Sequence, residues 1–120
     1  MVKTEDQVRS LAEKVLGFDD GEQDAMQGVG QITTFNQLGF KGVSDKPDGW
    51  YLPKDKGKAA IILEAKAEDV DIAKTSYAEE LLKDMKVTQQ KYKNVVGIRY
   101  NGKSTRRAAA QLGIAGFVQV

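Results

Sequence analysis

Residues 59–66 read Ala-Ala-Ile-Ile-Leu-Glu-Ala-Lys, a small and apolar run that leads directly into Glu64, Ala65 and Lys66. A strand with apolar residues on both faces is typical of the centre of a sheet that is covered on both sides. Buried carboxylates and ammonium groups cost free energy unless they are paired or bound to a metal. The end of this strand is therefore either an ordinary solvated end with an incidental ion pair or an active site.

A second predicted strand, residues 48–52, precedes this one, and the polar loop 53–58 joins the two as a long hairpin connection. Asp48 opens the first strand and Glu64 lies toward the end of its antiparallel partner, so we expect the two carboxylates to meet. Because side chains alternate along a strand, Lys66 projects from the same face as Glu64. Paired carboxylates suit a hard cation such as Mg²⁺, and a nearby ammonium can stabilise charge that develops on a phosphate.

The composition restricts the chemistry that such a site can use. The chain has 120 residues and a formal net charge of +1, and it contains neither Cys nor His. Disulfides, thiolate nucleophiles, Ser-His-Asp triads and His-ligated metals are therefore excluded. Catalysis would have to use carboxylates, Lys, Tyr, Ser or Thr, or a metal held by oxygen atoms. The net charge gives no global attraction to nucleic acid, so such a partner would need locally clustered Lys and Arg.

Length and hydropathy predict a single globular domain over residues 1–120. No apolar run approaches the roughly 18 residues that span a bilayer. The first residues, Met-Val-Lys-Thr-Glu, carry no apolar signal-peptide core. We therefore expect a cytoplasmic protein with no membrane partner.

Three helices are predicted around the strands. Thr4 and Gln7 have capping-box spacing before an amphipathic helix that Gly17 ends. A long helix is predicted within residues 72–92, and Ser104 is predicted to cap a short third helix that runs through Leu112.

Two further strands are predicted, at residues 94–100 and 116–120. Residues 17–46 are ambiguous: Asp19-Asp20-Gly21 has the composition of a turn, and a short helix, a strand near residues 32–35, or both could follow. The order of elements predicts a mixed α/β sheet with helices on its faces.

Helical phase selects two further polar residues. The predicted buried face of the first helix comprises Val8, Leu11, Ala12, Val15 and Leu16. At about 100° per residue, Glu5 falls at the edge of this face and Glu13 points away from it. On the long helix the same arithmetic turns Gln89 inward and Gln90 outward.

At these residues the chain resembles the PD-(D/E)XK nuclease superfamily. Pro47-Asp48 supplies the PD element, and Glu64-Ala65-Lys66 supplies the ExK element. The apolar strand that runs into ExK and the helix after it also match. In particular, the chain is similar to the nuclease domain of bacterial restriction-modification enzymes, where these strands precede a long helix and an Asn-Gly-Lys turn. The resemblance implies a restriction-endonuclease-like core, a mixed β-sheet flanked by helices.

The resemblance also implies a Mg²⁺-dependent DNA endonuclease, in which Mn²⁺ substitutes for Mg²⁺. Asp48, Glu64 and the carbonyl of Ala65 would hold the metal, and Lys66 would position or activate the attacking water. Glu5 and Gln89 would be auxiliary catalytic residues. The sequence after the Asn-Gly turn adds candidate phosphate contacts at Lys103, Arg106 and Arg107. A chain of this length leaves little surface for sequence recognition, so we expect additional domains or subunits. A homodimer is one such arrangement.

Alternatives remain open for the function and for individual residues. A repair or Holliday-junction-resolving nuclease would share the fold, and a DNA-binding or assembly module would share it without catalysis. The joint presence of Asp48, Glu64 and Lys66 argues against that second alternative. Asp48 beside a glycine is also typical of a turn, and Glu5 of a first-turn acid that favours the helix dipole. Gln89 could be a buried amide bonded to the backbone.

Overall fold

The computed structural model describes residues 2–17, 24–111 and 118–119, with side chains described as far as residue 107. The elements are α1 (Glu5–Leu16), β1 (Ala25–Val29), β2 (Gly49–Pro53), β3 (Ala60–Ala65), α2 (Thr75–Thr88), β4 (Asn94–Tyr100), β5 (Thr105–Gln111) and β6 (Val118–Gln119). Within the described ranges, no helix is long and apolar enough to cross a membrane. The turn predicted at residues 19–21 and most of the strand predicted at 116–120 lie outside these ranges.

The strands form one mixed sheet in the order β1-β2-β3-β4-β5-β6. The pairs β1–β2 and β2–β3 are antiparallel, β3–β4 is parallel, and β4–β5 and β5–β6 are antiparallel. The single parallel pair is the one that α2 connects, because parallel neighbours need a crossover rather than a tight turn. The predicted mixed α/β sheet with flanking helices is therefore confirmed.

β3 lies in the interior of the sheet, between β2 and β4, and a separate apolar cluster covers each of its faces. The α2-side cluster contains Phe35, Leu38, Phe40, Trp50, Leu52, Ala60, Ile62, Leu81, Met85, Tyr92 and Val95. The α1-side cluster contains Val8, Ala12, Leu63, Ala65 and Ile98. Alternate residues of β3 enter the two clusters, which explains why the strand is apolar on both faces. Glu64 follows Ile62 on the α2 side.

α1 forms as its sequence predicts. Thr4 accepts a hydrogen bond from the Gln7 backbone N–H while the Gln7 side chain accepts one from the Thr4 N–H, and Gly17 closes the helix in the left-handed conformation. The predicted buried face is only partly correct, since Val15 is 66% exposed. The charged Arg9 is buried beside Val8 and Ala12 instead.

α2 approaches the sheet closely where β4 carries a glycine. A Cβ atom at Gly97 would collide with the Met85 sulfur and lie 3.0 Å from Cδ2 of Leu81. Gly97 therefore sets the distance between this helix and the sheet, and with it the position of every polar side chain that α2 presents to the carboxyl end of β3.

The third predicted helix is wrong, because residues 105–111 form β5 rather than a helix capped by Ser104. Seven residues of β5 pair with β4, from Tyr100↔Thr105 to Asn94↔Gln111. Backbone groups along the edge of β4 outweigh the helix propensity of Arg and Ala in this segment. In the ambiguous region 17–46 the structure places β1 at Ala25–Val29, and residues 32–35 form no strand.

Candidate active site

The two predicted carboxylates meet at the end of the β2–β3 pair. Gly49 lies opposite Leu63, so the next pair outward consists of Asp48 and Glu64. The backbone N–H of Ala65 donates a hydrogen bond to Oδ2 of Asp48 at 2.9 Å. This bond attaches the Asp48 carboxylate to the Glu-Ala-Lys segment of the neighbouring strand.

Lys66 extends the group on the same side. Its Nζ lies 3.0 Å from Oε1 of Glu64 and 3.3 Å from Oε2 of Glu80, and it stands 4.5 Å from the centre of the Tyr77 ring. Burial by itself would lower the pKa of Lys66, but the bonds to Glu64 and Glu80 outweigh it and raise the pKa. Lys66 is therefore a fixed cation that suits orientation of water and stabilisation of negative charge, and it does not suit the role of general base.

Burial and mutual repulsion set the protonation of the two carboxyl groups. Burial, together with the charge of Asp48, raises the pKa of Glu64 to about 8 although Lys66 opposes the shift. Burial also raises the pKa of Asp48, while the Ala65 N–H and Arg9 oppose this. Repulsion of this kind is expected wherever two carboxylates share one small site without enough positive charge.

Arg9 is the cation that sequence reasoning missed. It is 5% exposed, and its Nε donates to Oδ1 of Asp48 at 3.3 Å. The same guanidinium bonds to Asp6 and lies 3.6 Å from the carboxylate of Glu5. No sequence pattern isolates Arg9, because its position beside the predicted apolar face of α1 is equally typical of a solvated arginine.

Glu5 lies at the margin of the site rather than inside it. Its side chain is 44% exposed, and Arg9 stands between it and Asp48. The structure thus connects Glu5 to the carboxylate pair through one arginine.

Gln89 does not join the group. Glu80 is the residue of α2 that reaches Lys66, and Gln89 lies nine positions farther along the same helix, where it forms the C-cap. At about 1.5 Å per residue that separation is roughly 13 Å along the helix axis. The structure therefore separates the predicted auxiliary residue Gln89 from Lys66, because helical phase predicts direction and not distance along the axis.

The residues of α2 that lie near the site are Glu80, which contacts Lys66, and Asp84, which is close enough to Asp48 to be affected by its charge. Asp84 is 7% exposed, and burial, reinforced by the charges of Asp45, Asp48 and Glu80, raises its pKa to about 7 although Lys83 opposes the shift. A signal for Asp84 was present in the sequence: a lone carboxylate between apolar residues of the helix face that packs on the sheet.

The three basic candidates separate in the structure. Lys103 lies 3.8 Å from Glu68. Arg106 pairs with Arg99 and Arg107 with Ile98, so the two consecutive arginines face opposite sides of the sheet. Arg107 lines an apolar pocket with Leu16 on the α1 side, and Arg106 is on the α2 side together with Glu64.

The carboxylate pair fits a divalent cation of the magnesium type. Mg²⁺ commonly uses one or two protein carboxylates and completes its shell with water and phosphate oxygens. Among the residues described, no group of three or more His, Cys, Asp or Glu side chains could hold a metal. A cation beside Asp48 and Glu64 would therefore need water or substrate oxygens to complete its shell. Each carboxylate already accepts a hydrogen bond, from Arg9 or Lys66 respectively, and retains lone pairs for a further partner.

No protein-family model, curated protein sequence or solved structure matches this chain. The resemblance to PD-(D/E)XK nucleases therefore depends on the short motifs Pro47-Asp48 and Glu64-Ala65-Lys66 and on the order of elements around them. These residues lie at one end of two adjacent strands, which is an observation independent of any sequence match.

Proposed function

We propose that this chain is a metal-dependent DNA endonuclease domain with a restriction-endonuclease-like core. The observation that carries the proposal is the junction of Asp48, Glu64 and Lys66 at the ends of β2 and β3, held by the Ala65 N–H···Asp48 bond of 2.9 Å and the Lys66···Glu64 contact of 3.0 Å. Burial of two carboxylates costs free energy, and the raised pKa of Glu64 shows that its pairing with Lys66 offsets only part of this cost. A bound divalent cation would offset more of it.

Each residue has a role that follows from its surroundings. Asp48 and Glu64, with the carbonyl of Ala65, would hold the cation, which lowers the pKa of bound water and neutralises phosphate charge. Lys66, a fixed cation among acidic neighbours, orients the attacking water and stabilises charge on the phosphate in the transition state. Arg9 holds one oxygen of Asp48 and keeps that carboxylate oriented toward Glu64.

The assignment to restriction-modification rests on the resemblance to the nuclease domains of those enzymes. The order of elements supports it: an antiparallel pair that carries Asp48 and Glu64, followed by a long helix and the turn at Asn101 and Gly102. A junction-resolving nuclease would use the same three residues, so linear and branched substrates must be compared directly.

The test is cleavage of supercoiled plasmid and of linear and four-way-junction DNA with Mg²⁺, Mn²⁺ or EDTA. We expect metal-dependent cleavage that Lys66→Ala reduces by at least about 10²-fold, the effect of losing one preorganised charge at a transition state. Lys86→Ala, an exposed lysine of α2, is the matched control and should cleave normally.

Calorimetry with Mn²⁺ separates metal binding from chemistry. Asp48→Ala and Glu64→Ala should each abolish binding, whereas Lys66→Ala should retain it. Cleavage that is unaffected by loss of Lys66, or metal binding that survives both carboxylate variants, would overturn the assignment. Preference for the four-way junction over linear DNA would favour the repair alternative.

A further inference from the structure

A row of charged residues crosses the sheet beside the proposed active site. Glu64 lies next to Arg99 in the parallel β3–β4 register, and Arg99 lies opposite Arg106 in the antiparallel β4–β5 register. Residues paired in this way share a face, so all three are on the α2 side. The row changes from acidic to basic over two strand spacings of about 4.8 Å each.

Arg99 is a buried cation on the α2 side of β4. It is 4% exposed, and its Nη1 donates to the carbonyl oxygen of Ile72 at 2.8 Å. Its Nε is buried and has no hydrogen-bond partner, and none of the acidic side chains that the structure describes forms an ion pair with it. Burial, and secondarily the charge of Arg106, lowers the pKa of Arg99. An unpaired buried donor of this kind is costly, which points to a partner that arrives from outside.

The start of α2 lies at the same place. Ile72, the acceptor of the Arg99 bond, is three residues before the first helical residue, Thr75. The N-cap residue Lys74 provides no side-chain cap, and the first turn contains no acidic residue. Free backbone N–H groups and the positive end of the helix dipole favour an anion here.

Lys66 borders the same helix end from the other side, since its ammonium stands over the ring of Tyr77 in the first turn. Lys66, which follows β3, and Arg99 of β4 therefore both lie near this helix N-terminus, and Arg106 of β5 lies opposite Arg99 in the sheet. Arg106 is exposed and is paired with Arg99 across β4 and β5, so an anion that binds Arg106 would lie next to the Arg99 side chain.

We propose that Arg99, Arg106 and the first-turn backbone amides of α2 form a phosphate-binding subsite, which holds a DNA backbone phosphate next to the one that is cleaved. The inference rests on the proposed nuclease function only in naming DNA as the source of the phosphate. Contacts of this type fix the register of the nucleic acid and carry no sequence information.

Inorganic phosphate is the first probe, because it tests the subsite without DNA. In ¹⁵N-labelled full-length protein, phosphate should shift the Nε–H resonance of Arg99 and the amide resonances of Thr75 and Ser76 with one saturating curve. Arg106→Gln should weaken this binding by roughly fivefold to tenfold, as expected for one lost charge-assisted contact. Lys86→Gln removes one exposed positive charge from the last turn of the same helix, at the end opposite to the subsite, and should leave the curve unchanged.

Duplex DNA in EDTA is the second probe, because no cleavage occurs without metal. Arg106→Gln should lower affinity equally for unrelated sequences and reduce the slope of log affinity against log salt by about 0.9, the value for one phosphate contact. Lys86→Gln should keep the wild-type slope.

The two probes distinguish the subsite from the nuclease proposal. Phosphate binding at Arg99 in a protein that neither binds nor cleaves DNA supports the subsite and overturns the nuclease function. If the protein cleaves DNA, but phosphate leaves the Arg99 resonance unmoved and Arg106→Gln behaves like Lys86→Gln, the subsite is overturned and the nuclease function stands. Because Arg106 is exposed, its variant tests the subsite even if replacement of Arg99 prevents folding.

Discussion

The N-termini of the two helices that the structure describes differ in how they are capped. α1 satisfies its own N-terminus: Thr4 and Gln7 form a capping box, and Glu5 and Asp6 place negative charge in the first turn. α2 has neither a side-chain cap nor an acidic residue in its first turn.

The positions of the helices explain the difference. The first turn of α1 supplies acids to Arg9, which bonds onward to Asp48. The start of α2 instead lies beside Lys66 and near Arg99, where an added carboxylate would compete with the proposed phosphate. The N-terminus of α1 is therefore capped by residues of its own sequence. α2 lacks such a cap and is held in place by its packing on the sheet.

The largest effect is expected where that packing is tightest. Gly97→Ala would push its new methyl group into Met85 and Leu81, and α2 would have to move away from β4. We expect a loss of about 3 kcal/mol in the free energy of unfolding, the upper part of the range for overpacked cores. Urea denaturation measures this directly. Gly57→Ala, in an exposed loop, is the control, and equal stability of the two variants would show that α2 is not fixed by Gly97.

The next effect concerns the docking of α1 through Arg9. Arg9→Gln leaves the partly buried Asp48 carboxylate without its guanidinium partner. We expect a destabilisation of about 2 kcal/mol, below the roughly 3–5 kcal/mol of a fully buried pair, because the Asp48 side chain is 18% exposed. Arg9→Lys should recover part of the loss, and Lys14→Gln in the exposed last turn should be neutral. A silent Arg9→Gln variant would mean that α1 docks through its apolar residues alone.

The acidic group next to α2 predicts a pH dependence. The pKa of Glu64 is raised from 4.5 to about 8 and that of Asp84 from 3.8 to about 7. The native state therefore binds protons that the unfolded chain has already released. The contribution of these two groups to the free energy of unfolding is therefore largest below their pKa values in the unfolded chain, 4.5 and 3.8. This contribution is lost as the pH rises through their folded-state pKa values of about 7 and about 8.

Glu64→Gln should reduce the fall in the free energy of unfolding that occurs as the pH rises. It should match the wild type near pH 4 and exceed it by roughly 1–2 kcal/mol at pH 9, since a neutral side chain replaces a buried charge. Chemical denaturation across pH 4–9 provides the measurement, with the exposed Glu79→Gln as control. A wild-type stability that rises between pH 6 and 8 would contradict these pKa values.

The elements that were predicted correctly are those determined by residues close together in the sequence. The capping box of α1, the apolar strand β3 and the closeness of Asp48 to Glu64 follow from spacing within a short segment. β5 did not follow, because its Arg-Arg-Ala-Ala-Ala segment favours a helix and only pairing with the edge of β4 makes it a strand.

The site residues divide in the same way. Period 2 correctly places Glu64 and Lys66 on one side, since a strand is straight and its neighbours are fixed by register. Helical phase predicts the direction of Gln89 but not its distance from Lys66. The same phase places Asp84 on the buried face with Leu81 and Met85, a signal that the prediction did not use. Arg9 was missed because burial of an arginine depends on a partner that is 39 positions away in the chain.

The smallest effects compare the two helix N-termini themselves. Thr4→Ala removes a side-chain cap that α1 has, and it should cost about 1 kcal/mol. Lys74→Ser offers α2 a cap that it lacks, at a residue whose φ of −59° and ψ of 138° already suit an N-cap. The serine oxygen would accept a first-turn N–H, so this variant should gain up to about 1 kcal/mol.

Phosphate gives these two variants different signatures. The serine of Lys74→Ser would occupy an amide that the proposed subsite uses, so phosphate should stabilise this variant less than it stabilises the wild type. Thr4→Ala should retain the full response, because α1 has no part in the subsite. Urea denaturation with and without phosphate measures both the stability change of each variant and its stabilisation by phosphate. If Lys74→Ser gains no stability, the first-turn amides of α2 are already satisfied within the protein, and they cannot be the donors that hold a phosphate.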